Sequence, residues 1–477
     1  MGRASLPALS FAVSGTLLCA CVEVRPEPDF ERARELVAES TGSRALFDPA
    51  APALAPDELS TILSDGLSLA EAERLALSHN RALRAAFWEI GVAHADWTDA
   101  RLFANPALSL RLPLDGTSGI LEGILAVELL DLWRVPAAAR GARSELDATV
   151  LRVARLAGEI LAEARTAYAA AVAAVALEQV EAEHLSLAER VATAVGDLRR
   201  AGAATALEDS LASGPRVTAR LDHAAARLAA ADARRELARV LSLEGSVEEL
   251  HLTDDCELRR ALALAASAAV ALAEERRLDL RALEKAVEAA EARVELERAG
   301  VLGGISAGPA VERRGRGRGG HGVAAEVGAS LPLFDRNQAG VARAAFELER
   351  LREVRADARA RVALQVRSAL DRSRTTASAA ALAAERLLPE AERALSLARA
   401  SHAAGRASLF VVLDAQERLL TARRRQVTAR GEAAAAVAAL ERALGCPLSR
   451  IPGEAGGEPS PSAAARPPAA EDAGGTP

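Results

Sequence analysis

Seven histidines are scattered through the 477 residues with no spacing that would gather them round a metal, and nothing pairs a nucleophile with a base or sets glycines in a phosphate loop. The chain is therefore not expected to be an enzyme, nor to need a cofactor or a metal. What remains is charge placed to meet charge. Asp414 is followed at i+4 by Arg418, a helical spacing that pairs them for roughly a few tenths of a kcal/mol. The one dense basic run is Arg313-Arg314-Gly315-Arg316-Gly317-Arg318-Gly319-Gly320; it is short and lies between two strand-like segments, so a solvated loop tip is favoured over an RGG-like RNA segment. A net charge of -7 lacks the basic face that a nucleic-acid partner demands.

The N-terminus reads as an export signal. The apolar stretch from Leu6 to Ala20 is too short to span a bilayer and ends in Leu18-Cys19-Ala20-Cys21. This end resembles the lipobox of bacterial lipoproteins, which makes residues 1–20 a signal peptide and Cys21 the lipidated first residue, with Val22 fitting outer-membrane sorting. The alternative is a plainly secreted chain with Cys21 unmodified. Cys256 and Cys446 each follow the end of one half of the chain, and a disulfide between them is the weaker expectation.

The positioning elements come in two sets. Helical runs of roughly 65 residues, on the order of 100 Å each, occupy about 137–201 and 337–403. They close on Gly202-Ala203-Ala204-Thr205 and Gly405-Arg406-Ala407-Ser408, where Gly suits a left-handed C-cap and Thr205 or Ser408 can cap a returning helix. Val153, Ala157, Ile160, Ala164, Ala167, Ala171 and Ala174 follow a 4-3 spacing, a seam of small residues that lets helices approach closely. The apolar run Tyr168 to Leu177 is about half the length a membrane helix needs, and belongs to that seam. Ser68-Leu69-Ala70-Glu71 has the form of a capping box opening a helix that ends before Asn105-Pro106, and a second helix is expected from Leu258 to Ala299. Arg277-Leu278-Asp279-Leu280-Arg281-Ala282 echoes Asn80-Arg81-Ala82-Leu83-Arg84-Ala85.

Before each rod lie two segments of strict alternation, at about 107–114 and 121–131, then 304–312 and 322–332. Leu108, Leu110, Leu125, Val127, Ala307, Val311, Val327 and their kin form one face. Ser109, Arg111, Glu122, Glu128, Ser306, Glu312, Glu326 and Ser330 lie on the other, the prospective lumen. Each segment is about the length of a tilted membrane strand, yet four strands cannot close, and an open edge cannot sit in lipid. Several chains must contribute; two amphipathic hairpins of a soluble α+β protein are the alternative. The divisions are then an extended segment over 21–66, a first repeat over 67–250, a second over 251–450 and a disordered tail over 451–477.

With Leu331-Pro332-Leu333-Phe334-Asp335-Arg336-Asn337-Gln338 at the strand-to-helix junction, and Gly405-Arg406-Ala407-Ser408-Leu409-Phe410-Val411-Val412-Leu413-Asp414-Ala415 at the tip, the chain resembles the TolC family of bacterial outer-membrane efflux channels. The resemblance implies a mainly α fold with a small membrane β part. It implies a homotrimer whose strands form one twelve-stranded β-barrel in outer-membrane lipid and whose helices form a periplasmic α-barrel. The tips would dock a periplasmic adaptor coupled to an inner-membrane pump, of the proton-driven RND type, exporting drugs or metal ions; Phe334 to Gln338 looks more like the CzcC-type, metal-exporting members. Asp414 would line the constricted periplasmic end, and Val411 falls where a second acidic residue is usual, giving an apolar constriction. The alternatives are the exit duct of a type I secretion system, and a non-conducting coiled-coil lipoprotein spanning the periplasm.

Overall fold

The computed structural model describes residues 23–44, 47–49, 65–111, 121–243, 250–255, 264–302, 304–313 and 321–451. The signal segment, Cys21, Cys256, the loop 314–320 and the tail beyond 451 lie outside the described residues.

The segment expected to run extended contains a helix, α1 (Glu27–Thr41). Acidic Glu27 and Asp29 suit its positive N-terminal end, and Phe30, Ala33, Leu36 and Val37 form a stripe that is buried in the core. Asp29 Oδ2 lies 2.8 Å from His94 Nδ1, tying α1 to the helix that carries His94.

Ser68 starts α2 (Leu69–Ser78) through the expected capping box: its Oγ accepts from the Glu71 N–H at 3.2 Å and its own N–H donates to Glu71 Oε2 at 2.9 Å. The helix read as continuous to Asn105 then breaks at Asn80, whose φ -58 and ψ 120 are not helical and whose Oδ1 caps α3 (Arg81–Asp99) through Leu83 N–H. In the second half, Arg277, with φ -68 and ψ 120, separates α6 (Ala266–Arg276) from α7 (Leu278–Ala299), where one helix was expected. The two stretches that echo each other in sequence thus mark two helix breaks. Arg277 is buried, and its guanidinium donates to Asp279, to Gln365 Oε1 at 2.9 Å and to the Ala443 carbonyl at 3.4 Å, which offsets its desolvation.

Strands β1 (Ala107–Arg111), β2 (Leu121–Glu128), β3 (Ile305–Arg313) and β4 (His321–Ala329) form one antiparallel sheet in the order β1-β2-β3-β4. Its register aligns Leu110, Gly123, Val311 and Val323 in one row, and Val127, Ala307 and Val327 in another. The ladder is interrupted between Ile124 and Val127, where Pro309 on β3 has no N–H to give. Here the strands come so close that a Cβ on Gly308 would collide with the Leu125 carbonyl oxygen, so only glycine fits.

β2 leads into α4 (Asp131–Arg200), 70 residues and about 105 Å long. It starts before Pro136 rather than after it, since a proline near a helix N-terminus disturbs little of the hydrogen-bond ladder. Val153, Ala157, Ile160, Ala164, Ala167 and Ala171 are all buried in the main core, and Ala174 is half-buried. By length and composition α4 is the single described helix able to cross a membrane, but its apolar run is packed in protein: Tyr168 is 3% exposed and donates to the Leu67 carbonyl at 2.9 Å. The chain returns as α5 (Ala206–Leu241). The second long run is not one α-helix. α8 (Gln338–Leu382) passes through a π turn at Ala383–Leu387 into α9 (Leu388–Ala403); Pro389 cannot donate within the ladder, and the widened turn absorbs the defect. α10 (Leu409–Leu444) returns. The sheet therefore sits at one end of the long helices and the two turns at the other.

Candidate functional site: the helix tips and the groove beside Asp414

The two tips have the same geometry. Gly202 (φ 78) and Gly405 (φ 69) adopt the left-handed conformation. At the first, Ala203 N–H bonds to the Leu198 carbonyl at 2.8 Å and Gly202 N–H to Arg199 at 3.0 Å; at the second, Arg406 N–H bonds to Ser401 and Gly405 N–H to His402, both at 2.9 Å. Both are Schellman closures. Thr205 then caps α5 with a full capping box to Glu208. Thr205 hydrogen bonds hold the Glu208 carboxyl below the usual carboxylate range. Ser408 takes an N-cap backbone, φ -72 and ψ 160, but its hydroxyl makes no capping bond; His402 Nδ1, 2.9 Å from the Ala407 carbonyl oxygen, braces that turn. Gly202, Ala203, Gly405, Arg406 and Ser408 are exposed, Ala204 and Ala407 half-buried, and Leu198, Leu207, Phe410 and Val411 add an exposed apolar rim.

Behind the tips, α4, α5, α9 and α10 enclose a groove of about 1310 Å³. Phe410, Leu413 and Asp414 line it from α10, Leu211 and Pro215 from α5, His184 from α4 and Leu395 from α9. Asp414 is exposed and Oδ2 accepts from Arg418 Nε at 2.8 Å, so the i+4 pair forms. Val411, one turn nearer the tip, is also exposed.

Beside the same groove, which Asp222 lines, is a cluster that sequence reasoning did not find. Glu181 is buried and takes Arg424 through both carboxylate oxygens, while Arg424 Nη2 also reaches Asp222 Oδ2 at 3.1 Å. These residues lie about 40 and 240 positions apart. A lone charge inside each helix carries no signal of a partner on another, and only the folding-back of two hairpins brings them together.

At the sheet end, the register sets Arg111, Glu122, Glu312 and Gly322 in one row and Glu128, Ser306 and Gly328 in another. Ser109, Glu326 and Ser330 share that face by alternation, and Ser330 Oγ accepts from Gly304 N–H at 2.8 Å. The opposite face is apolar and exposed, with Leu108 at 65% and Val327 at 70%. Cys446 is a buried free thiol whose pKa is pushed up by burial.

Residues 269–446 match the family described as outer membrane efflux protein. Among curated proteins, no sequence is a significant match to the chain. Several solved structures share the fold. A membrane protein from Pseudomonas aeruginosa is 21% identical, with a TM-score of 0.67, over 79% of this chain and 93% of that one. The outer membrane protein VceC from Vibrio cholerae is 18% identical, TM-score 0.64, over 80% and 96%. The CmeC outer membrane channel of Campylobacter jejuni is 16% identical, TM-score 0.67, over 83% and 89%.

Proposed function

From the match of residues 269–446 to the outer membrane efflux protein family and the fold shared with solved outer membrane channels, we infer that the chain is one third of a passive exit duct. The observation that carries this reading is the sheet. One face is apolar, with Leu108, Leu110, Leu125, Val127, Val311 and Val327 exposed on it, and β1 and β4 are edges with no partner among the described residues. Lipid tolerates neither unpaired backbone nor an open edge. Three chains give three times four strands, twelve in all, an even number that closes into a barrel and sets three pairs of long hairpins round one tube.

In this arrangement the polar face, with Glu128, Ser306 and Glu326, lines the lumen, and the helices carry the duct about 100 Å into the periplasm. The tips receive an adaptor, and an inner-membrane pump of the RND type supplies the energy and selects the cargo, drugs or metal ions. Cys21 anchors the chain to the membrane. The reach fits: α1 runs alongside α4 with Arg32 paired to Asp147 and Thr41 packed near Gly158, so its N-terminal end faces the sheet. Asp29 lies 3.6 Å from Arg143, roughly 15 Å along the helix from Trp133, and the roughly six residues from Cys21 to Glu27 can span about 20 Å.

The test is purified full-length protein in a planar bilayer. Stepwise ion conductance from a species whose mass is that of three chains supports the duct. A stable monomer that retains full strand content, or a trimer that never conducts, overturns it.

A further inference from the structure

His184 sits in the groove wall with a ring nitrogen that nothing satisfies. Nδ1 is buried without a hydrogen-bond partner, 3.8 Å from Glu181 Oε2, and Nε2 is 3.8 Å from Glu417 Oε2 on α10. Both distances exceed hydrogen-bond length but lie within easy reach of a small side-chain shift.

The charge around the ring is unbalanced. Glu181, Glu183 and Arg190 come from α4, Asp222 from α5, Arg399 from α9, and Asp414, Glu417, Arg423 and Arg424 from α10. Arg423 is paired with Glu183, Asp414 with Arg418, and Arg190 bonds to Ser186 Oγ at 3.1 Å. Arg424 serves Glu181 and Asp222 together. Glu417 has no arginine partner among the described residues. Two carboxylates, Glu181 and Asp222, therefore share one guanidinium and Glu417 has none, beside a histidine able to donate from both nitrogens.

A divalent cation fits poorly. Glu181, His184 and Asp222 hold ligand-type atoms within 4.8 Å of one another, but Arg424 already fills the space between the two carboxylates. A proton displaces nothing.

We propose that His184 is a pH-sensitive latch between the two helical hairpins. Protonated, the ring donates through Nδ1 to Glu181 and through Nε2 to Glu417, fastening α10 to α4 beside the groove. Neutral, it donates to one of them at most, and even a bond kept to Glu417 loses the charge on its donor, so the fastening weakens. Charge-assisted hydrogen bonds are about twice as strong as neutral ones, so the contact is stronger with the ring charged than with it neutral. As a regulator of the duct the latch rests on the reading above, because Glu417 lies one turn from Asp414 on the segment that forms the periplasmic end. As a contact between helices it is measurable without transport.

The experiment is amide hydrogen exchange of the full-length protein in detergent at pH 5.5 and 7.5, corrected for intrinsic exchange, read over residues 180–190 and 409–430. Protection should rise several-fold at pH 5.5. His184→Gln should abolish the difference, and Glu417→Gln, at an exposed carboxylate, should blunt it even if the first variant folds badly. An unchanged wild-type protection, or a response that survives both substitutions, overturns the latch. Conductance recorded on the same preparations keeps the two readings apart: loss of the latch with conductance intact leaves the duct standing, and a latch without conductance counts against the duct alone.

Discussion

Asn337 Nδ2 donates both to the Glu297 backbone carbonyl and to Glu297 Oε2, each at 2.8 Å, and so pins the start of α8 to the end of α7. Asn337 is one of two described non-glycine residues with positive φ, 55°. Asp335 Oδ1 accepts from the Asn337 N–H at 2.8 Å, and Gln338 Oε1 from the Arg336 N–H at 2.7 Å. The stretch Asp335-Arg336-Asn337-Gln338, which carried the family resemblance, is thus a hydrogen-bonded turn that aims the second long helix away from the sheet.

Asn337→Gly should keep the left-handed backbone but lose both bonds, costing about 1–3 kcal/mol; Asn337→Val should cost more, because a β-branched residue resists that conformation. The Asn337 amide is the leading cause of the Glu297 carboxyl lying below the usual carboxylate range. A depressed carboxylate stabilises the fold above its unfolded value, about 4.3, and that stability disappears as pH falls through the folded value. The melting difference between wild type and Asn337→Gly should therefore be largest near neutral pH and shrink in acid. A difference that grows on acidification would contradict this.

The legible parts were those written in local periodicity. Alternation located all four strands and assigned Leu110, Val311 and Val327 to one face, because a two-residue period admits one register once one face is apolar. The 4-3 spacing of alanines located the seam from Val153 to Ala171. What escaped was set by tertiary contact. Asn80 and Arg277 break helices whose apolar pattern continues through them, since Arg277 is held by Gln365 and Ala443 from other helices. α1 escaped although its residues, rich in Glu, Arg and Ala, carry a helical stripe at Phe30, Ala33, Leu36 and Val37; the Pro- and Ala-rich sequence that follows it hides a short helix. The Glu181–Arg424–Asp222 cluster escaped because no periodicity encodes a pairing between helices.

The apolar face of the sheet makes a graded prediction. Val327→Lys places a charge where Val327 is 70% exposed within one chain and would face lipid in the proposed trimer. It should cost roughly 2–4 kcal/mol near the bilayer midplane, read as lower trimer yield and earlier melting in detergent or lipid. Ser306→Lys, on the opposite face, should be mild. Equal effects would mean that the sheet packs against protein on both faces.

Arg406 tests docking. It is exposed at the second tip, makes no ion pair among the described residues, and follows the left-handed Gly405. Its side chain does nothing for the turn, whose closure is made by backbone groups and His402. Arg406→Glu should leave trimer yield and melting unchanged while lowering export in cells that carry the adaptor and pump. Export that survives the charge reversal would remove the tip from the docking surface.

Asp414 and Arg418 together test the proposed gate. In a single chain the two pair at 2.8 Å on the exposed side of α10, and an exposed pair of this kind contributes well under about 1 kcal/mol to stability. Its consequence is electrostatic instead. In the proposed trimer, three copies round a threefold axis would form a ring of carboxylates that draws cations to the narrow end, with three guanidinium groups partly screening it. The two substitutions should then act in opposite directions. Asp414→Ala should weaken cation selectivity and block by multivalent cations in single-channel recordings, whereas Arg418→Ala should strengthen both by uncovering the ring. Melting should stay put in either case. If both variants keep the wild-type reversal potential and block, Asp414 is an ordinary surface charge, and the constriction falls to Val411 and its apolar neighbours.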